Sequence, residues 1–332
     1  VVFAIKGYGR FIDELKERGI RVWTFNFKSR PLDFIKLLYF IKRESPDILH
    51  SFLFYGNLTG RVVGKILKIP VVISSQRSTD PWRKRYHWMI DCLTTKWTDI
   101  IISNSFKGKE VLIKKGRISH KKVIVIPNGI EAPEPGEKVT REALGISPSD
   151  YIVGTVGNLR KAKGHIYLIS AAPLILKYLP NTRFIIVGEG ELKGFLIKEA
   201  ERLGVLDRFI FTGFLDNPSS IISLFDVFVF PSLWEGCPVG LLEAMMLGKS
   251  CVAFPVGDIP CIIEDGISGI LAYKSSEKLA SAVIRLLKDK KLREEMGDAA
   301  HKRVLEHFSL EVMMERYIST YLRLIDSQRK KR

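Results

Sequence analysis

Short apolar runs alternate with segments of helical periodicity along almost the whole chain, and this alternation limits the possible folds more than any other feature. In the first half, the apolar runs predict strands at residues 1–5, 20–27, 48–52, 71–75, 99–103 and 123–126, with helices at 10–18, 32–43 and 58–67. Helical connections between successive strands imply parallel sheets with both faces covered. We therefore expect an α/β protein.

A second series of the same kind follows a change in composition. Residues 127–150 are rich in Pro, Gly, Glu and Lys, and Pro133-Glu134-Pro135-Gly136 is typical of an interdomain linker. The second series predicts strands at 152–156, 183–187, 209–212, 227–230 and 250–254, and helices at 165–177, 192–203, 218–224, from about 239, and at 276–288. We expect two Rossmann-like domains that face each other across a cleft.

Composition narrows the classes of protein. A length of 332 residues with 46% hydrophobic content is enough for two domains, and a net charge of +16 favours anionic partners such as phosphorylated substrates, acidic lipids or nucleic acid. The four cysteines lack metal or redox spacing, which favours a reduced, cytoplasmic setting. The sequence contains neither a secretory signal nor an apolar stretch of the roughly 18 residues that a spanning helix needs.

Two carboxylates surround one predicted strand-to-helix turn. Glu235 and Glu243 follow the apolar run 227–230, Gly236 permits close approach of a ligand to the backbone, and Pro238 suits the first turn of a helix that begins near Val239. Free N–H groups at a helix start attract phosphate, and carboxylates accept hydrogen bonds from sugar hydroxyls. The combination suits a nucleotide-sugar. The alternative is that Glu243 is an ordinary helix residue and that Glu235 is a charge near the helix N-terminus that complements the helix dipole.

The segment from Glu235 to Ala244 resembles the E-x7-E motif of retaining glycosyltransferases with the GT-B fold, specifically glycosyltransferase family 4, in the form E-G-x-P-x-x-L-L-E-A. The resemblance implies that Glu243 holds the donor ribose and that Glu235 lies near the transferred sugar. Cys237 falls within the same motif.

A basic, glycine-flanked loop follows the predicted strand 152–156. Lys and Arg side chains in such a loop can neutralise a diphosphate leaving group. The loop resembles the family's G-R-L-x-x-x-K-G motif, with Gly157 and Lys163 in matching positions. Asn158 stands where the family has Arg, and Arg160 is the candidate substitute. The alternative is a solvated basic surface.

Other segments resemble the family more loosely. Gly188 follows a predicted strand, and the stretch containing Gly213 and Phe214 resembles the one whose backbone meets the nucleobase. The loop 255–260 resembles the one beside the sugar, although Asp258 replaces a Gly there. In the first half, His50 matches a family histidine that faces the cleft, whereas a structural role is the alternative.

The resemblance also predicts the domain limits. We expect an N-terminal acceptor-side domain at 1–138, a nucleotide-sugar-binding domain at 150–305, and a C-terminal helix at 310–328 that packs back on the first domain. Family members begin with a strand, a Gly-Gly loop and a long helix, and we expect the strand and helix to be missing here. Residues 6–9 are therefore interpreted as a turn of the second β-α unit.

Two segments with mixed basic and aromatic character suggest contact with an anionic membrane. They are residues 80–88, which contain three aromatic and three basic side chains besides His87, and the helix 32–43, where Phe34, Leu37, Leu38 and Phe40 lie among cations. Ordinary helix faces are the alternative. The chain ends in the basic tail 329–332.

The sequence thus predicts transfer of a sugar from a nucleotide-diphosphate donor to an acceptor hydroxyl, with retention and without a metal or other cofactor. The expected acceptor is a glycan or lipid-linked saccharide, at the inner face of the cytoplasmic membrane, and no nucleic acid partner is expected. A nucleotide-sugar 2-epimerase, a non-catalytic binding homologue and a nucleic-acid-binding protein are the alternatives, in that order. The predicted catalytic residues are Glu235, Lys163 and His50, and the predicted donor-binding residues are Glu243, Arg160, Asn158, Gly157, Gly188, Gly213, Phe214, Gly236, Cys237, Pro238 and Val239.

Overall fold

The computed structural model describes residues 1–5, 10–77, 82–133 and 139–330. Four features predicted from the sequence lie wholly or partly outside these ranges. They are the turn at 6–9, the centre of the linker at 134–136, the beginning of the basic aromatic stretch at 80–81, and the last two residues of the basic tail.

The chain divides into two compact units. Unit 1 comprises Val1–Asn104, Gly108–Val125 and Tyr317–Arg332, and unit 2 comprises Ser105–Lys107 and Ile126–Arg316. Both contain parallel sheets connected by helices, so the predicted α/β class is confirmed. The last helix begins in unit 2, and its residues from Tyr317 onward belong to unit 1.

The strands of unit 1 form two parallel sheets. The strands are β1 (Val2–Ala4), β2 (Val22–Thr24), β3 (Ile48–Phe52), β4 (Val71–Gln76), β5 (Ile100–Ser103) and β6 (Val123–Val125). β1 pairs with β2, and the other four lie in the order β3-β4-β5-β6. The helices of this half are α1 (Arg10–Glu17), α2 (Asp33–Glu44), α3 (Leu53–Leu67), α4 (Arg85–Thr94) and α5 (Phe106–Lys114). Every residue of β4 is buried, as expected for a central parallel strand.

A cavity lies between the two sheets of unit 1. Its volume is about 690 Å³, and its lining includes residues 1–5, all of β3, and the apolar side chains of Leu37, Ile41 and Val63. The alternation of strands and helices predicted a parallel sheet but not its division. β1 and β3 both line the cavity but do not pair with each other, so the two sheets are separated there.

Unit 2 contains one parallel sheet of six strands in the order β12-β11-β10-β7-β8-β9. The strands are β7 (Tyr151–Val156), β8 (Thr182–Val187), β9 (Phe209–Gly213), β10 (Val227–Phe230), β11 (Cys251–Ala253) and β12 (Ile270–Leu271). The helices are α6 (His165–Tyr178), α7 (Lys193–Arg202), α8 (Ser219–Ile222), α9 (Val239–Met246), α10 (Ile259–Ile262), α11 (Ser276–Lys288), α12 (Lys290–Phe308) and α13 (Leu310–Arg329). Phe184, Phe228 and Phe230 are fully buried in its core, and each such side chain stabilises the fold by roughly 1.5–3 kcal/mol.

Several helices differ from the sequence predictions. The sequence did not predict α4, α5 or α12, and α3 begins at Leu53, five residues before the predicted start at 58. α4 opens with Arg, Tyr, His and Trp, which give no apolar periodicity. Only five of the 19 residues of α12 are buried, so its sequence is dominated by solvent-facing side chains.

The predicted membrane contact of α2 is wrong for the four apolar residues from which it was inferred. Leu37 is buried, and Phe34, Leu38 and Phe40 pack against the cluster that it forms with Phe25. These side chains belong to one of the core clusters of unit 1, because the apolar stripe of α2 faces the protein interior.

Candidate functional site

Loops at the carboxyl ends of β7 and β8 pack against each other through their backbones. The Gly157 N–H donates to the Val187 carbonyl and the Leu159 N–H donates to the Glu189 carbonyl, both at 2.9 Å. Gly188 has φ +139°, and a Cβ there would lie 2.2 Å from the Gly157 oxygen. Gly157 and Gly188 are therefore neighbours at the edge where ligands of such sheets bind.

An ion pair joins this edge to the loop after β10. Lys163 Nζ lies 2.5 Å from Glu235 Oε1 and 5.1 Å from the centre of the Phe230 ring. The Leu233 N–H donates to the Ala162 carbonyl at 2.7 Å, which holds the two loops together. The structure thus brings together two of the three predicted catalytic residues.

Gly164 allows this approach and is the N-cap residue of α6. Its φ is +62°, and a Cβ would lie 2.1 Å from the Pro231 carbonyl oxygen. Lys163 lies two residues before the first residue of α6, at the end of the helix where its dipole is positive. A cation beside free helix N–H groups is an arrangement that binds phosphate.

His165, the first residue of α6, is a site neighbour that the sequence analysis missed. It is buried, and its Nδ1 has no hydrogen-bond partner among the described residues. Burial, with the nearby charge of Lys163, lowers its pKa to about 4. The imidazole is therefore neutral near pH 7. Its position after Lys163-Gly164 is the only sequence signal that could have indicated it.

A tight turn supports the backbone of Glu235. Gly257 has φ +57°, and a Cβ there would lie 2.1 Å from the Glu235 carbonyl oxygen. The Asp258 N–H donates to the Gly236 carbonyl at 3.4 Å. The loop 255–260 thus lies beside Glu235.

The predicted helix start is confirmed. α9 begins at Val239, and Pro238 is its N-cap residue with extended backbone. The Cys237 carbonyl accepts a hydrogen bond from Asn128 Nδ2 at 3.3 Å. Val239 is exposed at the beginning of the helix.

Glu243 lies in a different place from Glu235. Its half-buried side chain makes no hydrogen bond to another described residue, and burial raises its pKa. It lines a pocket of about 320 Å³ together with Glu131, Asp216 and Ser219. Among the described lining residues of this pocket, neither Lys163 nor Glu235 occurs. The structure thus shows the lysine in contact with one acid of the motif, not with both.

The remaining predicted donor-binding residues lie at the end of β9 or in the loops that follow β7 and β9. Gly213 has φ +80°, and its carbonyl accepts from the Gly188 N–H at 2.8 Å. Phe214 is 67% exposed, which leaves its ring free to stack on a flat ligand. Asn158 and Arg160 are both exposed.

His50, the third predicted catalytic residue, belongs to unit 1. Its Nδ1 lies 2.7 Å from the Tyr321 hydroxyl, and its Nε2 lies 2.7 Å from Ser75 Oγ. Burial, with the positive charge of Arg77, lowers its pKa to about 4. Both ring nitrogens therefore have protein partners, one of them on α13.

Two features are absent from the described residues. No group of three or more His, Cys, Asp or Glu side chains among them is arranged to hold a metal ion. None of the described helices combines the length and apolar character needed to span a bilayer. Metal-independent transfer stays a prediction.

Comparison with known proteins identifies the family. Residues 1–132 match the family model described as Glycosyltransferase Family 4, and residues 137–303 match the one described as Glycosyl transferases group 1. The UDP-Gal:alpha-D-GlcNAc-diphosphoundecaprenol alpha-1,3-galactosyltransferase of Escherichia coli is 25% identical over 88% of this chain and 79% of its own length. An uncharacterized glycosyltransferase of Methanocaldococcus jannaschii is 30% identical over 83% of this chain and 75% of its own.

Solved structures share the fold. HepE of Anabaena in complex with UDP has a TM-score of 0.86 at 19% identity, covering 96% of this chain and 91% of that one. A glycosyltransferase of Rickettsia africae has a TM-score of 0.83 at 17% identity, covering 98% and 90%. The predicted GT-B architecture is confirmed, and the chain is a glycosyltransferase that belongs to glycosyltransferase family 4.

Proposed function

We propose that this enzyme transfers a sugar from a nucleotide-diphosphate donor to a hydroxyl of a lipid-linked saccharide, with retention of configuration. The observation that carries the donor assignment is the contact of Lys163 with Glu235 beside the start of α6. A diphosphate placed there would meet an ammonium and free helix N–H groups. Glu235, freed from the lysine, would then accept a hydrogen bond from a hydroxyl of the transferred sugar.

The other proposed donor contacts are inferred from how exposed each side chain is. Glu243 is a half-buried carboxylate without a described partner, so it can accept hydrogen bonds from the two ribose hydroxyls. Phe214 offers an exposed ring near the base, and Arg160 an exposed guanidinium for the diphosphate. We assign no substrate contact to His50, because both its ring nitrogens already have partners.

The proposed reaction needs no nucleophilic side chain. The bond from the anomeric carbon to the diphosphate breaks, and its electron pair stays on the diphosphate oxygen. The acceptor hydroxyl forms the new bond on the same face, and its proton passes to that phosphate oxygen. Lys163 stabilises the negative charge that grows on the leaving group, which is where such stabilisation accelerates the reaction.

Relatives support the choice of donor and acceptor. The E. coli relative is named for UDP-galactose and a diphosphoundecaprenol-linked sugar, and HepE is described with UDP and with UDP-glucose. We therefore propose a uridine diphosphate sugar and a polyprenol-diphosphate saccharide, which would place the enzyme at the inner face of the cytoplasmic membrane in polysaccharide synthesis.

The test incubates the full chain with UDP-sugars, with and without polyprenol-diphosphate saccharide, and examines the products by mass spectrometry and NMR. We expect UDP release and a new α-linked sugar only when the acceptor is present. A changed sugar without acceptor would indicate the epimerase, and nucleotide binding without any product would indicate a non-catalytic homologue.

A further inference from the structure

Arg77 is a cation without a charged partner at the carboxyl end of β4. It directly follows the last residue of the strand, and its side chain is half-buried. Arg61 and Arg83, which are buried in the same unit, both pair with Asp91. Arg77 forms no salt bridge with a carboxylate of the described residues, and its Nη1 donates to the Tyr317 hydroxyl at 3.5 Å. Because withdrawing a charge from water is costly unless the charge is paired, this arginine suits an anionic ligand.

Hydroxyl groups and an imidazole lie next to Arg77. His50 Nδ1 lies 2.7 Å from the Tyr321 hydroxyl, and the His50 ring lies 5.9 Å from the Tyr317 ring. Burial, with the charge of Arg77, lowers the pKa of His50 to about 4, and burial raises the pKa of Tyr321 to about 12. These four side chains, called the Arg77 cluster below, therefore carry one net positive charge near pH 7.

The Arg77 cluster lies at the carboxyl edge of the larger sheet of unit 1. His50 Nε2 lies 2.7 Å from Oγ of Ser75, near the end of β4. Asn104, which follows β5, donates from Nδ2 to the Arg77 carbonyl at 3.2 Å and so fixes the backbone of the arginine. Ligands of α/β proteins bind at this edge of a parallel sheet.

Exposed apolar side chains adjoin the cluster at the end of β3. The Phe52 ring lies 4.3 Å from the His50 ring, and Phe52 is 48% exposed. Leu53, the next residue, is 59% exposed and has φ +64°, a left-handed backbone that residues other than glycine rarely adopt. Such strained positions occur preferentially at ligand-binding sites. A ligand that fits both parts of this surface has an anionic group next to an apolar chain.

We propose that Arg77 binds the diphosphate of a lipid-linked acceptor and thereby selects anionic acceptors over neutral ones. Its planar guanidinium donates two parallel hydrogen bonds to phosphate oxygens, a geometry that a lysine ammonium lacks. Phe52 and Leu53 contact the first isoprene units of the lipid. A sugar carboxylate would pair with the guanidinium but would leave these apolar side chains without a partner. The inference rests on the proposed function for its acceptor class and adds the residue that recognises this acceptor.

Binding of geranyl diphosphate, measured by calorimetry with UDP in excess, tests the assignment without any transfer reaction. We expect R77Q to bind this probe at least tenfold more weakly than the wild type, because two charge-assisted hydrogen bonds are lost. R77K, which keeps the charge but not the fork, should lie between the two. Arg43 is exposed on α2, so R43Q makes the same change in net charge and should bind within about twofold of the wild type.

Two results of the binding experiment would overturn the proposal. One is equal affinity of R77Q and the wild type for geranyl diphosphate. The other is a loss in R77Q of glucuronate binding with geranyl diphosphate binding unchanged, which would make the ligand a sugar carboxylate.

Steady-state kinetics separate recognition of the anion from a merely structural role. With a polyprenol-diphosphate saccharide, R77Q should raise the acceptor KM at least tenfold and leave the donor KM within about twofold of the wild type. With the same saccharide as a neutral octyl glycoside, R77Q and the wild type should have the same acceptor KM, because no anion is present. Equal increases for the two acceptors would show that Arg77 only supports the fold.

The two experiments also distinguish this inference from the proposed reaction. If the wild type transfers no sugar but its binding of geranyl diphosphate depends on Arg77, the reaction is wrong and the diphosphate site stands. If transfer occurs and R77Q keeps the wild-type KM for the lipid-linked acceptor, the reaction stands and the assignment of Arg77 is wrong.

Discussion

Lys163 is paired with a carboxylate of its own chain, and this pairing determines what its ammonium can do. The side chains of Lys163 and Glu235 are 26% and 12% exposed, so the pair is neither fully solvated nor fully buried. Breaking a mostly buried ion pair is costly unless each charge gains a new partner, and a diphosphate would take the place of the carboxylate on Lys163. Donor binding would therefore release Glu235 for the sugar at the same moment.

Replacement of Lys163 by Ala tests this role. We expect kcat/KM to fall by roughly 10- to 150-fold, because a charge-assisted hydrogen bond of about 1.5–3 kcal/mol to the diphosphate is lost. Lys161 provides the matched control, since it lies on the same 3₁₀ turn and is exposed. Steady-state kinetics of K163A and K161A should differ by at least tenfold, and equal effects would show that the loop acts only through its overall charge.

Glu243 is expected to recognise ribose. We predict that Glu243→Ala weakens UDP binding at least tenfold in calorimetry, since a hydrogen bond to a charged acceptor is lost. The wild type should bind UDP more tightly than 2′-deoxy-UDP, whereas E243A should bind the two alike. If E243A keeps the full preference for UDP, the carboxylate does not contact the 2′-hydroxyl.

The sequence predicted which residues belong to the candidate site, but it did not predict which of them contact each other. The motif spacing indicated Glu235, Lys163 and Glu243 as one group, but only the fold shows that Glu235 reaches Lys163 and Glu243 lines another pocket. The partners of His50 on β4 and α13 are 25 and 271 residues away in sequence. Contacts at such separations depend on packing that no local pattern encodes.

At the scale of loops and helices, Gly257 controls where Glu235 lies. We predict that Gly257→Ala lowers kcat/KM at least tenfold, because the new methyl would meet the Glu235 carbonyl oxygen. Gly266→Ala is the control, since Gly266 also has positive φ, +79°, but a methyl added there would meet no described atom within 4 Å. Both variants lose about 1–2 kcal/mol from the left-handed backbone.

Thermal unfolding and kinetics together check this prediction. G266A should be slightly less stable than the wild type and fully active, whereas G257A should lose activity beyond its loss of stability. If G257A keeps wild-type kcat/KM, the turn does not position Glu235.

Helices and strands with a clear apolar pattern in their own sequence were predictable. Those whose bounds depend on packing against other parts of the chain were not. β10 and α11 have the predicted bounds, because a four-residue apolar run and a clear amphipathic stripe determine them. α3 begins early at Leu53, in a stretch of mixed aromatic and polar residues where periodicity is weak. Unit 1 has two sheets because β1 and β3 do not pair with each other. The sequence pattern predicts strands but does not say which strands pair.

At the scale of the whole molecule, the half-buried His50 and the buried His165 make stability depend on pH. His50 and His165 have pKa values of about 4 in the folded state, against 6.5 ordinarily. The unfolded chain binds more protons, so stability is complete above pH 6.5 and decreases as the pH falls towards 4. At pH 5 each histidine should account for a loss of about 2 kcal/mol.

Urea unfolding at several pH values measures this effect. H50Q should show a smaller decrease in the free energy of unfolding between pH 7 and pH 5 than the wild type, by about 2 kcal/mol. The exposed His120 supplies the control, and H120Q should retain the wild-type slope. An unchanged slope in H50Q would mean that His50 can take up a proton without loss of its contacts.

The buried network beneath α4 has a mechanical consequence. Asp91 joins α4 to Arg61 of α3, and Arg83, which also holds Asp91, donates from Nη2 to Gln76 Oε1 at the end of β4 at 3.0 Å. The helix is thereby connected to α3 and to the end of β4 through charge-assisted hydrogen bonds. A tilt of α4 would therefore stretch the bonds from Asp91 and Arg83, and the end of β4 would have to shift with the helix for these bonds to persist.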